Sequence, residues 1–89
     1  MIERELAVSN RLGLHARASA KLVQVLSGFR CSATLAAKGR EVNAKSIMGV
    51  MLLAAGPGTT VLLRVDGDEE AAAMTAVAEL FERKFDEED

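Results

Sequence analysis

The chain has a single histidine, His15, which stands two residues before Arg17 in the run Gly13-Leu14-His15-Ala16-Arg17. That run falls where a strand-like pattern gives way to a helix-like one, and three physical features make it a place to hold a phosphoryl group. The first N–H groups of a helix have no internal acceptor, and the helix dipole favours an anion beside them. Arg17 offers a permanently charged fork that matches phosphate oxygens. Histidine is a nucleophile near neutral pH and can carry a covalent intermediate. The plainer alternative is a lone surface, capping or core histidine, since an isolated nucleophile lacks the base and orienter of a catalytic constellation. Both readings stand at this point.

A second stretch of interest is Lys45-Ser46-Ile47-Met48-Gly49-Val50-Met51-Leu52-Leu53. Ser46 is a natural N-cap, and the apolar residues after it exceed what one buried face of a short helix can use. Either the whole segment is core, or Met48, Met51 and Leu52 are partly exposed as an adaptable protein-binding surface.

The elements that must position these residues follow from periodicity. Residues 2–8 place Ile2, Leu6 and Val8 on one face of a strand, and Ser9-Asn10-Arg11 breaks it. Helical spacing begins at Ala16 and runs to Ser27. Ala16, Ala20 and Val23, with Leu22 and Leu26 beside them, form the expected apolar stripe. Arg17, Lys21 and Gln24 form a polar stripe starting at His15. Gly28 suits the position just past the helix end, and Phe29 could fold back on it. Residues 30–35 and 41–43 read as a hairpin, with its turn in Ala36-Ala37-Lys38-Gly39-Arg40. Residues 60–65 are the strongest strand, ended by the turn Asp66-Gly67-Asp68. Residues 69–85 are the clearest helix, with Asp68 as N-cap, Phe81 in the core and Lys84 in the last turn. The acidic end Asp86-Glu87-Glu88-Asp89 reads as solvated. Strand, helix, two strands, helix, strand, helix, with one-sided strands, gives an α+β sandwich of two layers.

Composition narrows the function classes. The chain of 89 residues suffices for one domain, spanning residues 1–89, with a modest core. Hydrophobic residues make up 49% and charged residues 27%, far from a disordered composition. Aromatics are only 3%, which argues against base stacking on single-stranded nucleic acid. Residues 1–45 carry eight Lys/Arg against three Asp/Glu, and residues 46–89 carry three against ten. The basic half holds His15, a pattern that fits a basic face meeting an acidic protein better than a general nucleic-acid binder. The single Cys31 points to a reducing compartment, and no apolar run approaches a membrane span, so a cytoplasmic location is expected. Gly56-Pro57-Gly58 lacks the lysine-serine ending of a phosphate-cradling loop, and the Asp66–Asp68 cluster has no metal-ligand periodicity. No cofactor and no metal are expected.

This order of elements, with Gly13-Leu14-His15-Ala16-Arg17 near the start and Asn43-Ala44-Lys45-Ser46-Ile47-Met48-Gly49-Val50 in the middle, resembles the HPr family. These are the histidine-containing phosphocarriers of the bacterial phosphotransferase system, and the likeness covers essentially the whole chain. The resemblance implies a four-stranded antiparallel sheet in the order 1-4-2-3, covered on one face by three helices. It implies that His15 accepts a phosphoryl group on Nδ1 from phospho-enzyme I, charged by phosphoenolpyruvate, and passes it to an enzyme IIA-type acceptor. Arg17 would steady the phosphate, and Ser46 matches a position that a kinase/phosphorylase modifies in some relatives. A phosphate on Ser46 would add about two negative charges to a surface that must meet a partner. The implied partner face comprises Ala16, Ala20, Lys21, Gln24, Lys45, Ser46, Met48, Met51 and Leu52. The chain would be a monomeric covalent carrier, not a stand-alone enzyme.

Two departures matter. Ala18 stands where the family usually has proline, leaving the start of the helix freer. Leu12 stands where sugar-transport members commonly carry a polar residue. With Asn10 and Phe85-Asp86-Glu87-Glu88-Asp89, this leans toward the nitrogen-related branch, NPr, and toward regulation over bulk sugar uptake. The competing reading is a regulatory binding module that uses the Met face and never carries phosphate. A small-ligand-binding domain is a third, but no residues suggest a polar-lined pocket for it.

Overall fold

Val61, Leu63 and Val65 point the same way along strand β4 (Thr60–Asp66), and none of them is exposed to solvent. Their alternation with Leu62 and Arg64 is the period-2 pattern that puts one face of a sheet in the core. In the computed structural model, which describes residues 1–87, β4 lies between β1 (Ile2–Ala7) and β2 (Ser32–Ala37), and β3 (Arg40–Asn43) takes the far edge. All three pairings are antiparallel, giving the order β1-β4-β2-β3. Three helices, α1 (Ala16–Ser27), α2 (Ile47–Leu52) and α3 (Glu70–Glu82), cover one face of the sheet. The architecture is the open-faced α+β sandwich that the pattern of elements predicts.

Several boundaries move, each for a local reason. Strand β2 begins at Ser32, not near residue 30. The amide of Arg30 donates to the Glu69 carboxylate at 2.8 Å, and its carbonyl accepts from the Glu69 amide at 3.1 Å, so this residue is tied to the start of α3 instead of a ladder. The β2–β3 turn contracts to Lys38-Gly39, with φ of 54° and 76°, the two-residue hairpin turn that matches strand twist. Gly28 closes α1 with φ −80°, a right-handed conformation and not the left-handed one expected. The buried side of α1 consists of Ala18, Ser19, Leu22 and Leu26, so the stripe is rotated from the one read off the sequence and Ala16 is left exposed. Asp68 does not cap α3. Glu69 occupies that position without a side-chain capping bond to α3, while the Glu70 carboxylate reaches back to the Gly67 amide at 3.1 Å. This bond ties the first turn of α3 to the loop before it and leaves the opening helix amides without a side-chain cap.

The largest difference lies at the end of α3, which stops at Glu82 instead of continuing to Phe85. Lys84, Phe85 and Asp86 take φ of 54°, 57° and 60°, a left-handed turn of three non-glycine residues. Left-handed backbone costs about 1–2 kcal/mol per residue. Burial of Phe85 offsets part of this, since a fully buried large apolar side chain contributes about 1.5–3 kcal/mol. Its ring centroid lies 4.8 Å from that of Phe81, tilted by 57°. Phe85 is core, and of the run expected to be solvated Asp86 is exposed whereas the side chain of Glu87 is only 8% exposed. Glu88 and Asp89, which complete that run, lie outside the described residues.

Candidate functional site

After β1 the chain turns through Asn10 and Gly13 to reach His15. Gly13 has φ +66°, and a Cβ there would lie 2.5 Å from the Ala55 carbonyl oxygen and 2.7 Å from the Gly56 Cα. Only glycine fits this close approach of two backbones. The Leu14 amide then donates to that same Ala55 oxygen at 2.8 Å. The Ser19 hydroxyl donates to the Leu14 carbonyl at 3.1 Å, and the Ser19 amide to the His15 carbonyl at 2.8 Å. The start of α1 is thus held by backbone contacts on both sides, and the buried Ala18 begins no distortion there.

His15 is the N-cap residue of α1, with extended backbone (φ −78°, ψ −176°) and no capping bond from its side chain. Ala16, Arg17 and Ala18 open the helix, and their amides have no intrahelical acceptor. The His15 side chain is 27% exposed, and its Nε2 bonds the Glu87 carboxylate. The other oxygen of Glu87 accepts from Nδ2 of Asn10 at 2.9 Å, and the same Nδ2 donates to the Gly13 carbonyl at 2.8 Å. Asn10 is fully buried, and its Oδ1 has no hydrogen-bond partner among the described residues. Arg17, the second residue of α1, is exposed in its first turn.

Neither Asn10 nor Glu87 was singled out as a site residue from sequence. Asn10 reads there as a strand breaker and as a pointer to the nitrogen-related branch, although an asparagine three residues before a tight glycine signals a side chain that organises a loop. For Glu87 no local signal exists, because its partner lies 72 residues away in the chain.

The hydrogen bond from Asn10 holds the Glu87 carboxyl below the usual carboxylate range, and His15 and the Arg17 charge add to this, while burial opposes it. A carboxyl depressed in the fold contributes stability at pH above its unfolded range, and that contribution is lost as pH falls through the folded value. The same direction holds for Asp86, beside Arg83 and Lys21. Urea unfolding followed from neutral pH to below about pH 4 is expected to show a fall in stability that is shallower in Glu87→Ala than in wild type.

The second candidate segment is brought alongside the first, because α1 and α2 are neighbours. Ser46 is the N-cap of α2, as expected, its hydroxyl oxygen accepting from the Gly49 amide at 3.1 Å. Ser46→Ala is expected to cost about 1 kcal/mol in urea unfolding. Only Val50 of α2 is buried, and Met48 (72% exposed), Leu52 (61%), Met51 and Ile47 present an apolar surface. Leu12, on the loop before His15, is also exposed. Of the polar α1 residues, Gln24 is exposed, whereas Lys21 is half-buried and bonds the Phe85 carbonyl at 2.8 Å. Ala20 and Lys45 are half-buried, and the Lys45 ammonium bonds the Phe29 carbonyl at 3.0 Å.

A family model described as "PTS HPr component phosphorylation site" matches residues 2–83. The chain belongs to the HPr family. Phosphocarrier protein HPr of Xylella fastidiosa is 62% identical over 88 residues, covering 99% of each chain. Among solved structures, HPr-C-His of Thermoanaerobacter tengcongensis superposes with a TM-score of 0.95 at 42% identity and full coverage of both chains. HPr of Bacillus anthracis superposes with a TM-score of 0.84 at 36% identity, covering 88% of this chain and 93% of that one. The chain is accordingly an HPr-type phosphocarrier of the phosphotransferase system. Among the described residues, no helix is long and apolar enough to cross a membrane.

Proposed function

We propose that His15 is the phosphoryl acceptor, taking the group on Nδ1 from phospho-enzyme I and passing it to an enzyme IIA-type protein. The observation that carries this reading is the placement of the ring, at the open N-terminus of α1, partly exposed, with Nε2 engaged by Glu87 and Nδ1 remaining as the nucleophile. The opening amides of α1 and the Arg17 guanidinium supply positive potential for three phosphate oxygens. Enclosure would be a fault, because two proteins must reach the same nitrogen in turn, and each completes the positioning and charge stabilisation that transfer needs.

The partner face is formed by Ala16, Ala20, Lys21 and Gln24 of α1 with Lys45, Ser46, Met48, Met51 and Leu52 around α2. The exposure of Met48, Met51 and Leu52 beside a basic helix supports it, since flexible thioethers adapt to more than one partner. Phosphorylation of Ser46 by a kinase/phosphorylase would set about two negative charges beside Ile47 and Met48 and weaken docking there. Leu12, exposed next to His15, supports the nitrogen-related regulatory branch over bulk sugar uptake. The chain acts as a cytoplasmic monomer in this scheme.

Incubation with enzyme I and phosphoenolpyruvate tests the reading. A mass increase of one phosphoryl group, labile in acid and stable in base, supports a phosphohistidine. An unmodified chain that still binds its partners through the α1–α2 face would make it a regulatory module instead.

A further inference from the structure

Glu87 reaches His15 on a segment that phosphoryl transfer, as described above, leaves without a role. Lys84, Phe85 and Asp86 are held in a left-handed turn. The contacts that keep it there include the Phe85 ring buried against Phe81, the Lys21 ammonium 2.8 Å from the Phe85 carbonyl, and the Arg83 guanidinium 2.9 Å from Asp86. Backbone strain over-determined by independent contacts is characteristic of functional segments.

The carboxylate delivered by this turn has a fixed division of labour. Oε1 accepts from Asn10 Nδ2, and Oε2 faces Nε2 of His15. Asn10 cannot be turned round, because reversing its amide would set Oδ1 against both the Gly13 carbonyl and Glu87. It keeps both hydrogens on these two acceptors even though Oδ1 is left buried and unpaired. Glu87, ionised and only 8% exposed, can accept hydrogen bonds but not donate them.

On the reading of His15 as the phosphoryl acceptor, we propose that Glu87, oriented by Asn10, is a positioning residue that keeps the imidazole proton on Nε2 and the lone pair on Nδ1. During acceptance that lone pair forms the new N–P bond, while the donor's bond to phosphorus breaks and its electron pair returns to the donor. The proton stays on Nε2, where the Glu87 carboxylate faces the positive charge the ring acquires. In onward transfer the N–P bond breaks and its pair returns to Nδ1, so the ring neither takes up nor releases a proton in the cycle.

Glu87→Gln separates this role from packing. Glutamine keeps the shape of the side chain but has one oxygen, and Asn10 claims it. Its NH₂ group then meets Nε2 as a donor, which demands the tautomer protonated at Nδ1. Replacing an orienting carboxylate by its amide acts in this way in hydrolase triads, at a cost of up to about 10⁴-fold. The ¹⁵N spectrum of the neutral His15 ring is expected to show Nε2–H alone in wild type, a mixture in Glu87→Ala, and Nδ1–H in Glu87→Gln. With enzyme I and phosphoenolpyruvate, kcat for phosphoryl acceptance is expected to fall about tenfold or more in Glu87→Gln and less in Glu87→Ala. KM should hold, because so buried a side chain offers a docking protein little surface, and circular dichroism should show all three proteins folded. A Glu87→Gln protein with wild-type tautomer and rate would overturn the proposal, as would Glu87→Ala being the slower of the two. If wild type takes no phosphoryl group, the reading of His15 as acceptor fails, and the tautomer series alone still decides whether Glu87 sets the ring proton.

Discussion

His15→Ala is expected to abolish phosphoryl acceptance altogether while leaving the fold in place. The chain has no second histidine to take over the role. The side chain makes no capping bond to α1, so the helix loses nothing from its first turn when the ring is removed. What the fold loses is one hydrogen bond to Glu87, which keeps its bond from Asn10, and a single such bond is worth about 1 kcal/mol. The measurement is intact-protein mass after incubation with enzyme I and phosphoenolpyruvate, paired with a urea midpoint. A phosphoryl group still gained by the alanine protein would place the acceptor elsewhere. Equal loss of modification and of folding would leave His15 a structural residue. Arg17→Ala is the companion variant. Because Arg17 is exposed in the first turn of α1, its loss should slow transfer without a measurable change in stability.

Phe85→Ala is expected to have the largest effect on stability. The ring is fully buried and packed at a tilt against Phe81, and truncating a phenylalanine in such a site costs about 3–5 kcal/mol. For a domain of this size that is a large share of about 5–15 kcal/mol of total stability, equivalent to a fall in Tm on the order of 15–30 °C. The left-handed backbone of Lys84, Phe85 and Asp86 makes the consequence specific. Without the buried ring nothing comparable offsets the strain, and the turn that carries Glu87 should open. Amide exchange should therefore speed up first around residues 83–87, and the His15 ring should lose its single tautomer. Glu87→Ala, by contrast, should disturb the ring and leave the Phe85 anchor in place. A Phe85→Ala protein with unchanged exchange in this segment would mean that the polar contacts of the turn hold it without the ring.

Much of the architecture was legible in residue order because local rules and global packing agree. Alternating valine and leucine in β4, helical spacing after Ala16, the Ser46 cap and a hairpin turn within residues 36–40 each act over a few residues, and the fold obeys them. His15 could be picked out for the same reason: a unique nucleophile beside an arginine at a strand-to-helix junction is a local pattern. Where two distant segments compete for one backbone group, residue order was a poor guide. The start of β2 moved because Glu69 claims Arg30, and α3 stops short where burial of Phe85 against Phe81, together with the bonds from Lys21 and Arg83, holds a left-handed turn.

Residue order alone was enough for the sandwich, its four strands and three helices, the histidine and the helix start that presents it, since short-range periodicity and capping chemistry suffice for these. The partnership of Asn10 and Glu87 with that histidine was decided only by the tertiary structure. It depends on a turn no propensity favours, held by contacts between the end of the chain and its beginning, and interactions of that range leave no periodic trace in the order of residues.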